Sequence, residues 1–193
     1  MQVETVDYKA ADASTTLARS LRDTGFAVLA NHPITPDRIT EIYDGWGDFF
    51  AGKDKFDYAV QPPAHDGYFA FRSENAKDSP VKDLKEFFHV YPGCGLPAEL
   101  TEMTRQIYAD LNALGCELLA WIQVEAPASV TESLSMPLDT MMDDSEQSLL
   151  RILHYPPVSD AEPGAIRAAA HEDINLITLL LSGSKPGLQA QDA

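Results

Sequence analysis

The sequence is 193 residues long and 45% hydrophobic, with 14 Lys and Arg against 30 Asp and Glu, a net charge of −16. That size and composition suit one large or two small globular domains, and the acidic excess argues against nucleic acid or an anionic membrane as partner, since both need a basic footprint. No run of about 18 apolar residues occurs, and the N-terminus lacks the basic start and apolar core of a signal peptide. A cytoplasmic protein whose partner is a small molecule or another protein is therefore expected.

In chain order, Val3 to Val6 predicts a short strand and Ala10 to Arg22 a helix with Leu17 and Leu21 on one stripe. Gly25 to Ala30 reads as a buried strand ended by Asn31-His32-Pro33. Thr35 is a plausible N-cap before Pro36, and Ile39, Ile42, Tyr43, Trp46, Phe49 and Phe50 recur at helical spacing behind it. From Gln61 to Lys82, Pro62, Pro63, Gly67 and Pro80 break any period, which predicts a long ordered loop anchored by Tyr68, Phe69 and Phe71. Lys85 to Tyr91 predicts a strand with Phe87, His89 and Tyr91 on one face.

Leu100, Met103, Ile107, Leu111, Leu114, Leu118 and Trp121 then mark the longest helix and a core stripe. Ser129 to Asp144 loosens into a linker with a short helix at most, and Ser148 to Tyr155 predicts a strand. Its alternation puts Leu149, Arg151, Leu153 and Tyr155 on one side and Leu150, Ile152 and His154 on the other. Strands are expected at Ile177 to Leu181 and from Leu188 onward. Cys94 and Cys116 make neither a disulfide framework nor a zinc spacing and read as free thiols.

The chemistry concentrates in Ala170-His171-Glu172-Asp173-Ile174-Asn175. In an extended segment His171 and Asp173 leave the same face, roughly 7 Å apart, and can close on one metal, while Glu172 points away. An imidazole with one carboxylate suits ferrous iron, but the triad used for oxygen chemistry needs a second histidine. No histidine follows His171. Of the others, His32 and His65 read as turn or surface residues, His89 as a hydrogen-bonded core residue or a lining of the site, and His154 as facing away from Tyr155.

Four stretches together resemble the isopenicillin N synthase-like branch of the iron(II) and 2-oxoglutarate-dependent dioxygenases. They are Gly25-Phe26-Ala27-Val28-Leu29 with Asn31-His32; Gly67-Tyr68-Phe69, through Lys77-Asp78-Ser79-Pro80, to Asp83-Leu84-Lys85-Glu86-Phe87-Phe88-His89; Leu150 to Pro157; and Ala170 to Asn175 with Ile177 to Leu181. Their order along the chain is more specific than any one of them.

The resemblance implies an α+β chain with a double-stranded β-helix (jelly roll) and a helical N-terminal region packed on it. Residues 1–126 would form the N-terminal region and 145–193 the beginning of the jelly roll. It implies Fe(II) held by His171 and Asp173, with 2-oxoglutarate and dioxygen as co-substrates and Tyr155 contacting 2-oxoglutarate. The small organic substrate would undergo hydroxylation, desaturation or ring closure. The family's second histidine, and the Arg-x-Ser that grips the distal carboxylate of 2-oxoglutarate, lie farther along than Ala193, so a C-terminally truncated copy is expected. Arg151 is the one arginine placed to substitute, with pairing to an acidic neighbour as its other reading. Leu153 stands where many plant members carry asparagine. A jelly roll needs about eight strands, so the chain is expected to self-associate through exposed sheet edges. Two alternatives stay open: a degenerate relative acting as an interaction module, and an iron oxidase of the same family that needs no 2-oxoglutarate.

Overall fold

The computed structural model describes residues 2–74, 82–158 and 165–189. The chain divides into two compact units: Met1–Thr40, Gln106–Ser145 and Ile177–Ala193 make one, Glu41–Arg105 and Glu146–Leu176 the other.

In the first unit, strands β1 (Thr5–Asp7) and β2 (Val28–Ala30) pair in parallel, with Val6 opposite Leu29, and helix α1 (Ala13–Thr24) is the crossover. Parallel neighbours require such a connection. The helix stops because Gly25 adopts φ 76° and donates its N–H to the Leu21 carbonyl at 2.8 Å, a left-handed C-terminal cap. Val6 and Leu17 are buried. β2 departs from the expected buried strand, since Val28 is 55% exposed and Phe26 48%. An apolar run is fully buried only in a sheet covered on both faces, and here the sheet has two strands.

Helix α2 (Pro36–Ala51) begins where Thr35 Oγ1 accepts the Arg38 N–H at 3.4 Å, and it buries Ile42, Trp46, Phe49 and Phe50. Helix α3 (Thr101–Glu125) runs 25 residues and buries Ile107, Leu114 and Leu118 of the predicted stripe. A four-residue helix α4 (Ala128–Thr131) is all the α-helix in the expected linker.

The second unit contains an antiparallel sheet in the order β3 (Gly67–Phe69), β4 (Glu86–Val90), β5 (Leu150–His154). β3 lies inside the segment expected to be a loop; at three residues it is too short to show a period. It begins at Gly67, φ 106°, where a Cβ would stand 2.7 Å from the Tyr58 carbonyl oxygen. The register aligns Gly67, His89 and Arg151 across the three strands, and likewise Tyr68, Phe88 and Ile152, and Phe69, Phe87 and Leu153. One face thus carries Phe69, Phe87, His89, Arg151 and Leu153, and the other Tyr68, Glu86, Phe88, Ile152 and His154. α2 packs on the second face, with Trp46 5.0 Å and Phe49 5.7 Å from Phe88, ring to ring. Trp46 also donates its indole N–H to Thr104 Oγ1 at 3.1 Å. All five residues of β4 are buried.

The expected strand at Ile177 to Leu181 is not formed: residues 165–189 contain neither helix nor strand. A strand exists only through a hydrogen-bonded ladder, and this run enters none. Instead Leu179 lies by α3, where a Cβ on Gly115 would be 3.9 Å from its Cδ1. The expected strand from Leu188 is likewise absent at Leu188 and Gln189, while Ala190 lies outside the described residues, as does Lys77-Asp78-Ser79-Pro80.

Candidate functional site

His171 Nε2 lies 3.6 Å from Asp173 Oδ1, and both side chains are about half exposed (53% and 48%). The two-residue spacing turns both groups to one side, although the segment is not in a sheet. His171 Nδ1–H donates to the Ala169 carbonyl at 2.8 Å, so Nε2 is the ring nitrogen that faces Asp173. Two bonds tie the preceding residues to the entrance of β4. The Leu84 N–H donates to the Ile166 carbonyl at 2.9 Å, and the Ala169 N–H to Asp83 Oδ1 at 3.2 Å.

Asp83 was not singled out from the sequence, nor was its partner. Lys85 Nζ sits 3.0 Å from Asp83 Oδ2 and 2.9 Å from Glu74 Oε2, and both Lys85 and Asp83 are buried. Burial alone would lower the Lys85 pKa; the hydrogen bonds to Glu74 and Asp83 outweigh it and hold it above the ordinary lysine value. The available signal was the alternation of charge in Asp83-Leu84-Lys85-Glu86 just before an apolar strand, which a solvated face explains equally well.

Tyr155 follows β5 and is half-buried. Burial raises its phenol pKa, and the charges acting on it are those of Lys85, Asp83, Arg151 and Arg167. Arg167 Nη1 donates to its main-chain carbonyl at 3.0 Å. On the same strand Arg151 donates Nε–H to His89 Nε2 at 2.8 Å, stands 3.7 Å from Glu74 through Nη1, and stacks over Phe87 at 5.0 Å. His89 Nδ1–H donates to the His65 carbonyl at 3.0 Å. Burial, reinforced by the Arg151 charge, pushes His89 down to about 4. His89 is therefore the hydrogen-bonded histidine that its strand position suggested, and it is neutral.

On the opposite face Glu86 accepts from Tyr68 OH, from Lys55 Nζ at 2.9 Å and from His154 Nδ1–H at 2.7 Å. Burial would raise its pKa; those hydrogen bonds lower it on balance. His154 also stacks on Phe50 at 5.1 Å. Its side chain, a third exposed, lies on the Glu86 face of the sheet against α2, the side the alternation assigns it. Cys94 and Cys116 are free thiols, both pushed up by burial.

A family model described as non-haem dioxygenase in morphine synthesis, N-terminal, matches residues 3–107, more than half of the chain. The chain belongs to the 2-oxoglutarate/Fe(II) oxygenase family. A Shewanella oneidensis protein assigned as an oxygenase is 45% identical and superposes with a TM-score of 0.80 over 91% of this chain and 63% of its own. A Caulobacter crescentus protein assigned to the 2OG-Fe(II) oxygenase family is 30% identical, with a TM-score of 0.67 over 90% of this chain and 61% of its own. The proline hydroxylase buaE of Petromyces alliaceus is 30% identical over 91% of this chain and 60% of its own length. The chain thus spans about three fifths of these relatives.

Relatives of this chain are named for 2-oxoglutarate and Fe(II), and the donors here suit that metal. Adjacent donors on an octahedral ion with bonds of about 2.1 Å stand about 3 Å apart. His171 and Asp173, at 3.6 Å, need to close by only about half an ångström, which two exposed side chains do freely. Among the described residues no third His, Cys, Asp or Glu joins them.

Proposed function

We propose that this chain is the N-terminal region and the opening part of the jelly roll of a non-haem Fe(II), 2-oxoglutarate-dependent oxygenase acting on a small organic substrate. The observation that carries this is the His171–Asp173 pair, set at 3.6 Å with the histidine tautomer held by Ala169, in a chain of this family. His171 Nε2 and Asp173 Oδ1 would be two of the three protein ligands. Iron and 2-oxoglutarate, when bound, supply the activation of dioxygen for substrate oxidation.

The residues here have three tasks. The Ala169 carbonyl takes the Nδ1–H of His171 and so turns Nε2 toward the metal position, as outer partners of metal-bound histidines commonly do. Asp83 holds that segment against the start of β4. Tyr155, which feels the charges of Lys85 and Arg151, would offer its phenol to an anionic co-substrate. The two free thiols support a reducing, cytoplasmic setting.

The test is an anaerobic Fe(II) titration of the 193-residue chain. Wild type should bind one ion, and His171→Ala or Asp173→Ala should each weaken binding at least tenfold, in line with loss of a first ligand. Stoichiometric iron retained in both variants would sink the assignment. A second reading, self-association, is favoured by β5, which pairs only with β4 among the described residues and exposes Leu153.

A further inference from the structure

We propose that Asp83 is a positioning residue for the His171–Asp173 pair, acting on it through the main chain of Ala169. The inference rests on the reading of that pair as iron ligands and names the group that decides where they stand. The segment itself shows why one is needed. Residues 165–189 contain neither helix nor strand, and the two ligand side chains are about half exposed. No ladder locates them, so their place is set by individual bonds.

Ala169 is held by both of its main-chain polar groups. Its N–H donates to Asp83 Oδ1 at 3.2 Å, and its carbonyl accepts the Nδ1–H of His171 at 2.8 Å. A single residue therefore joins Asp83 to the imidazole. The other oxygen of Asp83, Oδ2, lies 3.0 Å from Lys85 Nζ, which also bonds Glu74 Oε2 at 2.9 Å. The Asp83 N–H donates to the Glu74 carbonyl at 3.0 Å, so its main chain and its side chain are both fixed. Asp83 is 3% exposed and Lys85 6%.

A buried carboxylate is costly unless its oxygens are paired. Neutralising Lys85 does not require Asp83, because Glu74 bonds the same ammonium. What Asp83 adds is an acceptor turned toward a segment 86 residues away in sequence. A carboxylate that accepts a main-chain N–H makes a charge-assisted bond, about twice as strong as a neutral one. Lys85 holds Oδ2, which keeps Oδ1 aimed at Ala169. The bond from the Leu84 N–H to the Ile166 carbonyl at 2.9 Å, and that from Arg167 to the Tyr155 carbonyl at 3.0 Å, fix the approach to the segment. Asp83 fixes the residue that touches His171.

The experiment is amide hydrogen exchange, read residue by residue by NMR in the iron-free 193-residue chain, beside the Fe(II) titration. The Ala169 amide reports the Asp83 bond, and the Phe88 amide, in the central strand, reports opening of the unit as a whole. Asp83→Ala should speed exchange at Ala169 about tenfold or more relative to Phe88, as expected for loss of a bond to a charged acceptor. Asp83→Asn, with one acceptor oxygen to divide between Lys85 and Ala169, should fall between Asp83→Ala and wild type, and it carries the same comparison if Asp83→Ala does not fold. Fe(II) affinity should drop about three- to tenfold in Asp83→Ala, less than on loss of a ligand. An Ala169 amide that keeps its wild-type rate in both variants, or speeds up only in step with Phe88, would overturn the proposal. Undiminished iron affinity in a variant whose Ala169 amide is freed would do the same. A wild-type chain that binds no iron sinks the ligand reading instead, and the exchange rates, measured without metal, still decide whether Asp83 positions the segment.

Discussion

His89 shows how one side chain couples the sheet to its site. Its two ring nitrogens are committed, Nε2 to accepting from Arg151 and Nδ1–H to donating to His65, and the ring is 7% exposed. A pKa held at about 4 means that the folded chain resists a proton the unfolded chain takes up near pH 6.5. The stabilisation is therefore fully present above about pH 6.5 and is lost as pH falls toward 4, by roughly 3 kcal/mol at the limit. Urea midpoints measured between those values should fall steadily in wild type, and His89→Gln should flatten that part of the curve. An unchanged slope in the variant would show that other groups carry it. The spacing of His171 and Asp173 put both side chains on one side, where they stand 3.6 Å apart, while their reading as metal ligands came from the motif's context and the family resemblance. The Asp83–Lys85–Glu74 cluster that supports the site was not legible, because charge alternation looks the same whether the groups are buried together or solvated.

β4 is the element on which the second unit depends. It is the central strand, paired on both sides, with Phe88 fully buried against Trp46, Phe49 and Tyr58. Phe88→Ala should cost about 3 to 5 kcal/mol, the usual range for removing a packed phenylalanine, read as a lowered urea midpoint at unchanged slope. A loss well below 1 kcal/mol would mean that α2 collapses into the space. The elements most legible beforehand were the long ones with a clear period: α2 from its Trp46–Phe50 stripe and Thr35 cap, α3 from its leucines, β4 and β5 from their alternation. β3 was hidden because three residues show no period, and Gly67 looked like a loop signal while it opens a strand. Ile177 to Leu181 erred in the other direction. Apolar, branched residues state a preference, but a strand also needs a neighbour with free backbone groups, and local sequence does not report one.

At the scale of the whole molecule, exposed apolar groups outnumber what a small chain needs. Leu149 and Leu153 on the β5 side are 38% exposed, and Ile174, Leu180 and Leu188 more so. An unprotected edge with apolar flanks is a template for pairing with another copy. Light scattering should show a mass that rises with concentration, and Leu153→Lys, which puts a charge on that edge, should suppress the rise. A strictly monomeric wild type would remove self-association from consideration. No helix among the described residues is long and apolar enough to cross a membrane.

The interleaving of the two units has a consequence for how the chain is made. Residues 41–105 and 146–176 complete one unit, and the other takes stretches from the beginning, middle and end of the chain. On a ribosome, β3 and β4 emerge well before β5, so β4 waits with one edge open while α3 and the following turns are synthesised. The first unit waits longer, since its last stretch begins at Ile177. Neither can be excised as a continuous fragment. Premature release anywhere before β5 would therefore free a polypeptide with β4 unpaired on one side and Phe87 lacking its cover from Arg151, a species that chaperones or proteases would meet first.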